Sequence, residues 1–167
     1  MFCGSSLHDR PSNEENGPNI VVNSKEQPRI TVETYQKLLQ NNEEHVLVDV
    51  RTEPEIEICS LENAINIPLE NIQEDASLEK IYSALNTSSP SLESSISNRE
   101  LHDVRVVLVC RRGNDSQIAS RLLREKLLDD SDKISGICKN NRRFIIQDII
   151  GGLYSWSRKI DSDFPIY

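Results

Sequence analysis

The sequence lacks any apolar run of about 18 residues, which predicts that no helix spans a membrane. Its first six residues show no basic stretch followed by an apolar one, so we expect no signal peptide. Neither end carries a lipidation motif. Together these absences favour a protein of the cytosol with no membrane partner.

Cysteine is also sparse. The four cysteines never fall in Cys-x-x-Cys spacing and the three histidines do not cluster with them, so we expect no metal site. In a reducing cytosol a cysteine is either a buried packing residue or a reactive thiol. We interpret Cys59 as a packing residue and Cys138 as non-catalytic, while Cys3 and Cys59 stay open as second thiols.

Basic residues are outnumbered. The 19 lysines and arginines stand against 27 acidic residues, giving a net charge of −8. A domain this acidic is poorly suited to holding phosphate backbones, so we expect no direct nucleic-acid binding and favour a protein partner. With 167 residues and 37% hydrophobic content, the chain can form one domain core and an irregular flank.

Polar composition divides the chain. Residues 1–28 are rich in Ser, Asn, Glu, Pro and Gly, which predicts a flexible linker. The folded domain is expected over residues 29–167. A Ser-rich insertion at 86–101 interrupts it, and we expect that segment to be a mobile loop.

Short apolar runs alternate with helical periodicity in the predicted domain. Strands are expected at Val46–Val50, Ala64–Ile67, Val104–Val109 and Phe144–Ile149. Helices are expected with caps at Thr31 and Ser77, over Ser116–Leu128, and from Leu153 to Ile160 with Trp156 anchored on the sheet. The alternation indicates an α/β fold with a mainly parallel sheet flanked by helices.

Cys110 directly follows the strongest strand signal, Val104–Val109. In open α/β sheets the carboxyl ends of the strands form the usual functional edge. A cysteine thiolate there is a nucleophile without needing a general base. We therefore predict that Cys110 carries sulfane sulfur as a persulfide.

The residues after Cys110 support a thiolate. Their backbone N–H groups, the next helix N-terminus and the charges of Arg111 and Arg112 all favour an anion. Gly113 allows the tight backbone path that such a loop needs. After Asn114, either Asp115 or Ser116 is expected to cap the helix.

Other interpretations of these residues remain. Cys110 could be a buried packing residue beside surface arginines. Arg51 could bind substrate directly, although a structural contact with Asp49, Glu55 or a loop carbonyl that braces the active loop is favoured. A Cys-x5-Arg phosphatase needs an arginine where Ser116 stands, so that class is disfavoured.

Four segments together resemble a rhodanese domain: Val48–Arg51, Asn66–Leu69, the Cys110 loop, and Gly151–Trp156. The resemblance implies a central five-stranded sheet. The loop Cys-Arg-Arg-Gly-Asn-Asp-Ser-Gln and the ending Ile160–Tyr167 are more similar to one branch of the family. That branch is the C-terminal domain of the two-domain adenylyltransferase-and-sulfurtransferase proteins. Non-catalytic rhodanese-like interaction modules are an alternative, but they typically lack the cysteine that is present here.

The resemblance implies a sulfur relay. A cysteine desulfurase or similar donor would load Cys110, whose persulfide would convert the adenylylated C-terminal glycine of a ubiquitin-like carrier into a thiocarboxylate. Such carriers serve tRNA wobble-uridine thiolation, molybdopterin synthesis or both. The resemblance implies ATP and zinc only for an adenylylating domain absent from this sequence, and no cofactor for the domain itself.

One loop residue argues against thiosulfate as the natural donor. Thiosulfate is a dianion, and Asp115 places a negative charge in an otherwise cationic loop. We therefore expect weak turnover of thiosulfate. The segment Cys59–Ala64 also departs from the Gly-His-Ile-Pro-Gly-Ala of many rhodaneses, which favours the specialised branch.

Overall fold

The structure is a computed structural model that describes residues 21–22, 29–88, 102–129 and 142–167. Cys3, Cys138, nearly all of the predicted linker and residues 89–101 of the predicted insertion lie outside these ranges. The strands are β1 (Val21–Val22), β2 (Arg29–Ile30), β3 (His45–Asp49), β4 (Ile65–Asn66), β5 (His102–Val109) and β6 (Arg142–Ile149). The helices are α1 (Val32–Gln40), α2 (Glu53–Ile58), α3 (Asp75–Ser88), α4 (Asp115–Asp129) and α5 (Gly152–Lys159), with a 3-10 turn at Leu69–Asn71.

All of the strand pairs in the described sheet are parallel. The order across the sheet is β1-β6-β5-β3-β4, and β2 pairs with β6 on the same edge as β1. The sheet is therefore five strands wide, with two short strands sharing one edge position, which confirms the predicted α/β class. β1 lies within the segment predicted as a linker.

Helices cover both faces of the sheet. Because side chains alternate along a strand, β5 sends Val106 and Leu108 to one face and Val107 and Val109 to the other. The first face packs against α3 and α4, and the second packs against α1 and α5. This three-layer arrangement puts β5 at the centre of the domain, with its last residue directly before Cys110.

The second face contains the only tryptophan of the chain. Trp156 of α5 packs against Tyr35 of α1, with ring centroids 5.9 Å apart and the rings edge to face. Both residues belong to the cluster that contains Leu47 and Val107 of the sheet. The structure thus confirms that Trp156 anchors its helix on the sheet.

Two helix starts test the predicted caps at Thr31 and Ser77, and a third start was not predicted. Thr31 caps α1, since its Oγ1 accepts the backbone N–H of Thr34 at 3.2 Å. Ser77 is not a cap, because α3 begins at Asp75 and the Ser77 hydroxyl donates instead to the Asn71 carbonyl at 2.7 Å. Helix α2, which was not predicted, starts where the Glu55 carboxylate accepts the backbone N–H of Thr52.

No helix in the described ranges combines the length and apolarity needed to cross a membrane.

Candidate active site

The Cys110 loop connects the end of β5 to the start of α4. Cys110 is only 1% exposed, and it sits at the carboxyl edge of the sheet between β3 and β6. The sequence predicted this placement from the strand, loop and helix pattern. The expected capping by Asp115 or Ser116 is corrected, because α4 already begins at Asp115 and the capping position falls on Asn114.

Two groups contact the Cys110 sulfur. The backbone N–H of Gly113 donates to Sγ at 3.1 Å, and the Ser116 hydroxyl lies 3.4 Å from Sγ. Ser116 is fully buried in the first turn of α4. When the sulfur is an anion, the Ser116 hydroxyl can turn its proton toward it, so the loop offers two hydrogen-bond donors to one sulfur.

The start of α5 holds the loop from the other side. The N–H of Leu153 donates to the Cys110 carbonyl at 3.0 Å, and the N–H of Tyr154 donates to the Arg111 carbonyl at 2.9 Å. Gly152 has φ +55°, and a Cβ there would lie 2.1 Å from the Cys110 carbonyl oxygen. The glycine pair after β6 therefore lets the helix end meet the loop backbone directly.

The two loop arginines lie at the rim of the site, each over an aromatic ring. The Arg111 guanidinium carbon is 4.5 Å from the centroid of the Tyr167 ring. Arg112 lies 5.2 Å from the centroid of Tyr154, which Arg158 also approaches at 5.7 Å. These cation–π contacts hold positive charge beside the loop, where it can attract an anionic donor.

Arg51 is buried and tied to several groups. Its guanidinium donates to both carboxylate oxygens of Asp49, with Nη2 2.7 Å from Oδ2, and to the carbonyls of Glu55 and Cys59. Burial alone would lower the pKa of Arg51, but the Asp49 carboxylate more than offsets this and raises it. Arg51 also donates to the hydroxyl of Tyr167, whose ring lies beneath Arg111. Among these contacts, Tyr167 is the link between Arg51 and the active loop.

These contacts predict that Arg51→Lys is destabilising but not inactivating. Lysine keeps the charge but cannot reach Asp49 and the two carbonyls together, so unfolding free energy should fall by about 2 kcal/mol. Chemical denaturation would measure the loss, with Arg105→Lys on β5 as the matched control. Alkylation of Cys110 should stay within about twofold of wild type, since a lysine keeps the field of Arg51. A large loss of sulfur loading at unchanged stability would instead favour direct substrate contact.

Two residues that the sequence did not single out also reach the loop. Arg29 of β2 donates to the Gly113 carbonyl at 2.7 Å and pairs with Asp148 of β6 at 3.0 Å. The side chain of Asp148 has no exposed surface. A carboxylate inside the apolar strand Phe144–Ile149 was the signal that could have found this pair.

The thiol of Cys59, the other cysteine of the described ranges, lies apart from the contacts at the Cys110 sulfur. Cys59 follows the end of α2, is half-buried, and has its Sγ 4.0 Å from the Pro165 carbonyl oxygen. The described residues include no group of three or more His, Cys, Asp or Glu side chains arranged to hold a metal ion. Whether Cys59 acts as a second thiol stays a prediction.

The fold and the loop define an α/β domain with a cysteine cradled at the carboxyl edge of its sheet. Residues 31–159 match the family model of the rhodanese-like domain, and the chain belongs to this sulfurtransferase family. It is 36% identical to the adenylyltransferase and sulfurtransferase MOCS3 of Drosophila sechellia over 100% of its length, covering 29% of that protein. It is also 36% identical to the Xenopus laevis protein of the same name, with 99% of this chain and 32% of that protein covered.

A solved structure is also similar. The human single domain sulfurtransferase TSTD1 is 18% identical, with a TM-score of 0.46, over 80% of this chain and 98% of that one.

Proposed function

We propose that Cys110 accepts sulfane sulfur as a persulfide and passes it to the C-terminal glycine of a ubiquitin-like carrier protein. The observation that carries this proposal is the surroundings of the Cys110 sulfur, which lies 3.1 Å from the backbone nitrogen of Gly113 and 3.4 Å from the hydroxyl oxygen of Ser116. Hydrogen-bond donors aimed at one sulfur stabilise both a thiolate and a persulfide anion. The paired activities in the names of the relatives support a carrier as the acceptor.

The reaction has three steps that balance. The Cys110 thiolate attacks the outer sulfur of a donor persulfide, forms Cys110–S–S⁻ and releases the donor thiol. The persulfide then attacks the carrier acyl-adenylate, forms an acyl disulfide and expels AMP. A thiol finally attacks the Cys110 sulfur, which releases the carrier thiocarboxylate and leaves a mixed disulfide at Cys110.

The setting that fits this chemistry is a longer protein. The chain spans about a third or less of the length of the relatives it matches. We therefore propose that an adenylylating domain, which binds ATP and zinc, belongs to the same protein. A cysteine desulfurase is the proposed donor, and the cytosol is the proposed compartment. The thiocarboxylate would serve tRNA wobble-uridine thiolation, molybdopterin synthesis or both, without direct contact between this domain and nucleic acid.

The test reconstitutes the transfer. The chain is loaded with sulfur, freed of donor, and mixed with a carrier acyl-adenylate and a thiol reductant. The product carrier should be heavier than the free carboxylate form of the carrier by the difference between sulfur and oxygen, in an amount proportional to the persulfide supplied. Loaded Cys59→Ser protein is the control and should transfer normally. A loaded chain that leaves the carrier unchanged would refute the carrier as acceptor.

Asp115→Ala is expected to raise thiosulfate turnover. Asp115 is exposed at the first residue of α4, five positions after Cys110, and its charge opposes a dianion approaching the loop. We expect kcat/KM for thiosulfate to rise roughly threefold to tenfold at low ionic strength, with the gain shrinking in salt. Asp129→Ala removes the same charge at the far end of α4 and should have no effect. Unchanged or lower turnover in Asp115→Ala would show the charge argument to be wrong.

A further inference from the structure

A partly buried ion pair lies behind the Cys110 loop. The Nε of Arg29 donates to both carboxylate oxygens of Asp148 at 3.2 and 3.1 Å, and Nη2 donates to Oδ2 at 3.0 Å. Arg29 and Asp148 are neighbours in the parallel register of β2 and β6. The Arg29 side chain is 30% exposed and that of Asp148 is fully buried.

The arginine of this pair also binds the active loop. Its Nη2 donates to the Gly113 carbonyl at 2.7 Å, and the N–H of the same glycine donates to the Cys110 sulfur at 3.1 Å. Gly113 has φ +83°, one of several conformations open to glycine at similar energy, so a bond to its carbonyl can select this one. Arg29 thereby fixes the residue that presents its N–H to the sulfur.

The aspartate of the pair lies on the strand next to the one that ends at Cys110. Asp148 pairs in register with Leu108, two residues before Cys110. Burial raises the pKa of Asp148, and the charges of Arg29 and of Arg124 on α4 oppose this rise. Arg124 itself donates to the Ile146 carbonyl of β6.

We propose that Arg29 and Asp148 are positioning residues that set the hydrogen bonding and the charge around the Cys110 sulfur. Arg29 favours the sulfur anion, because it holds the Gly113 N–H in place and adds positive charge. Asp148 opposes the anion, because it is itself negative and lies beside the strand that ends at Cys110. The inference rests on the proposed function for its meaning, but it concerns the free thiol and can be tested without a sulfur donor.

The two residues should then shift thiol reactivity in opposite directions. Alkylation of Cys110 by iodoacetamide follows the thiolate fraction, so its rate against pH reports the sulfur environment. In Arg29→Met the Gly113 carbonyl is released and Asp148 loses its partner. We expect the rate at neutral pH to fall about tenfold and the profile to move to higher pH.

Asp148→Asn should do the reverse. It removes the buried negative charge and leaves Arg29 able to bind Gly113. We expect alkylation at neutral pH about threefold to tenfold faster, with the profile moved to lower pH. Arg29→Lys keeps the charge but cannot bind Asp148 and Gly113 together, so it should fall between Arg29→Met and wild type.

The control is another ion pair between strands. Arg143 of β6 donates to Asp103 of β5 at the opposite end of the strands, so Arg143→Met and Asp103→Asn make the same chemical changes away from the loop. Both should leave the alkylation profile in place. Circular dichroism and urea unfolding would confirm that each variant is folded at the pH values used.

The proposal is supported if Asp148→Asn and either folded Arg29 variant shift the pH profile of Cys110 alkylation in opposite directions. It is overturned if folded variants shift the profile in the same direction or not at all, and the ion pair would then serve only to stabilise the fold. This result is independent of the proposed function, which fails instead if wild-type protein never acquires or transfers sulfur.

Discussion

Cys110→Ser is expected to abolish persulfide formation. The thiolate is the attacking group, and a serine hydroxyl is not ionised near neutral pH. The described partners of the sulfur are the Gly113 N–H, which donates to it, and the Ser116 hydroxyl oxygen, which accepts from the thiol, and neither is a base strong enough to activate serine. We expect sulfur loading to fall by at least about a thousandfold, to below detection.

The fold should survive this substitution. Cys110 is buried, but serine is close in shape, and its oxygen can accept the Gly113 N–H and bond to Ser116 as the sulfur does. Stability should therefore change by only about 1 kcal/mol. A loss of sulfur loading can then be attributed to the missing thiolate and not to unfolding. Thermal unfolding of the variant beside wild type would show that the fold is retained.

Intact mass is the measurement. Each protein is incubated with a sulfane-sulfur donor, and its mass is recorded before and after a reductant. Because the chain has four cysteines, the control keeps Cys110 alone, with Cys3, Cys59 and Cys138 replaced by serine. That chain should gain one reducible sulfur atom while Cys110→Ser gains none. Full sulfur loading of Cys110→Ser would show that another thiol accepts the sulfur. No gain of sulfur in wild type or in the chain that keeps Cys110 alone would favour a non-catalytic interaction module.

The sequence was sufficient for features that depend on neighbours in the chain. The apolar runs now seen as β3, β5 and β6 were visible because strands covered on both faces have few polar positions. The place of Cys110 followed from the same pattern, since it lies between a buried strand and a helix with apolar periodicity. Helix α1 was found through Thr31, whose cap acts over three residues.

The sequence was insufficient where contacts join distant segments. Arg29 and Asp148 are 119 residues apart, and Arg51 and Tyr167 are 116 apart, so no local spacing connects them. Ser116 was misassigned as a cap candidate because serine at a helix start usually caps it, whereas here it faces the sulfur. What local patterns miss is therefore the layer of residues that orients the loop.

The second large effect is expected from Gly152→Ala. A Cβ at position 152 would lie 2.1 Å from the Cys110 carbonyl oxygen and 2.9 Å from the carbonyl carbon and oxygen of Arg111. All three are backbone atoms of the active loop, so no side chain can move aside. With the added strain of φ +55°, we expect a loss of about 3 kcal/mol or more in unfolding free energy.

The same clash should also reduce sulfur loading at Cys110. The loop can escape the new methyl group only by breaking the bonds from Leu153 to the Cys110 carbonyl and from Tyr154 to the Arg111 carbonyl. Sulfur loading of whatever protein folds should then drop by about tenfold to a hundredfold, since small misplacements of a reacting group cost that much.

Gly151→Ala separates the clash from the strain. Gly151 also has positive φ, at +75°, but a Cβ there meets only the side chain of Ser155, whose Oγ at 1.9 Å can rotate away and whose Cβ at 2.9 Å needs a small shift. The substitution should cost about 1 to 2 kcal/mol, mainly the strain of a left-handed alanine, and keep most of the loading. Urea unfolding and intact mass on both variants make the comparison. Equal losses in the two would mean that backbone conformation alone matters, and that contact between α5 and the loop does not hold Cys110 in place.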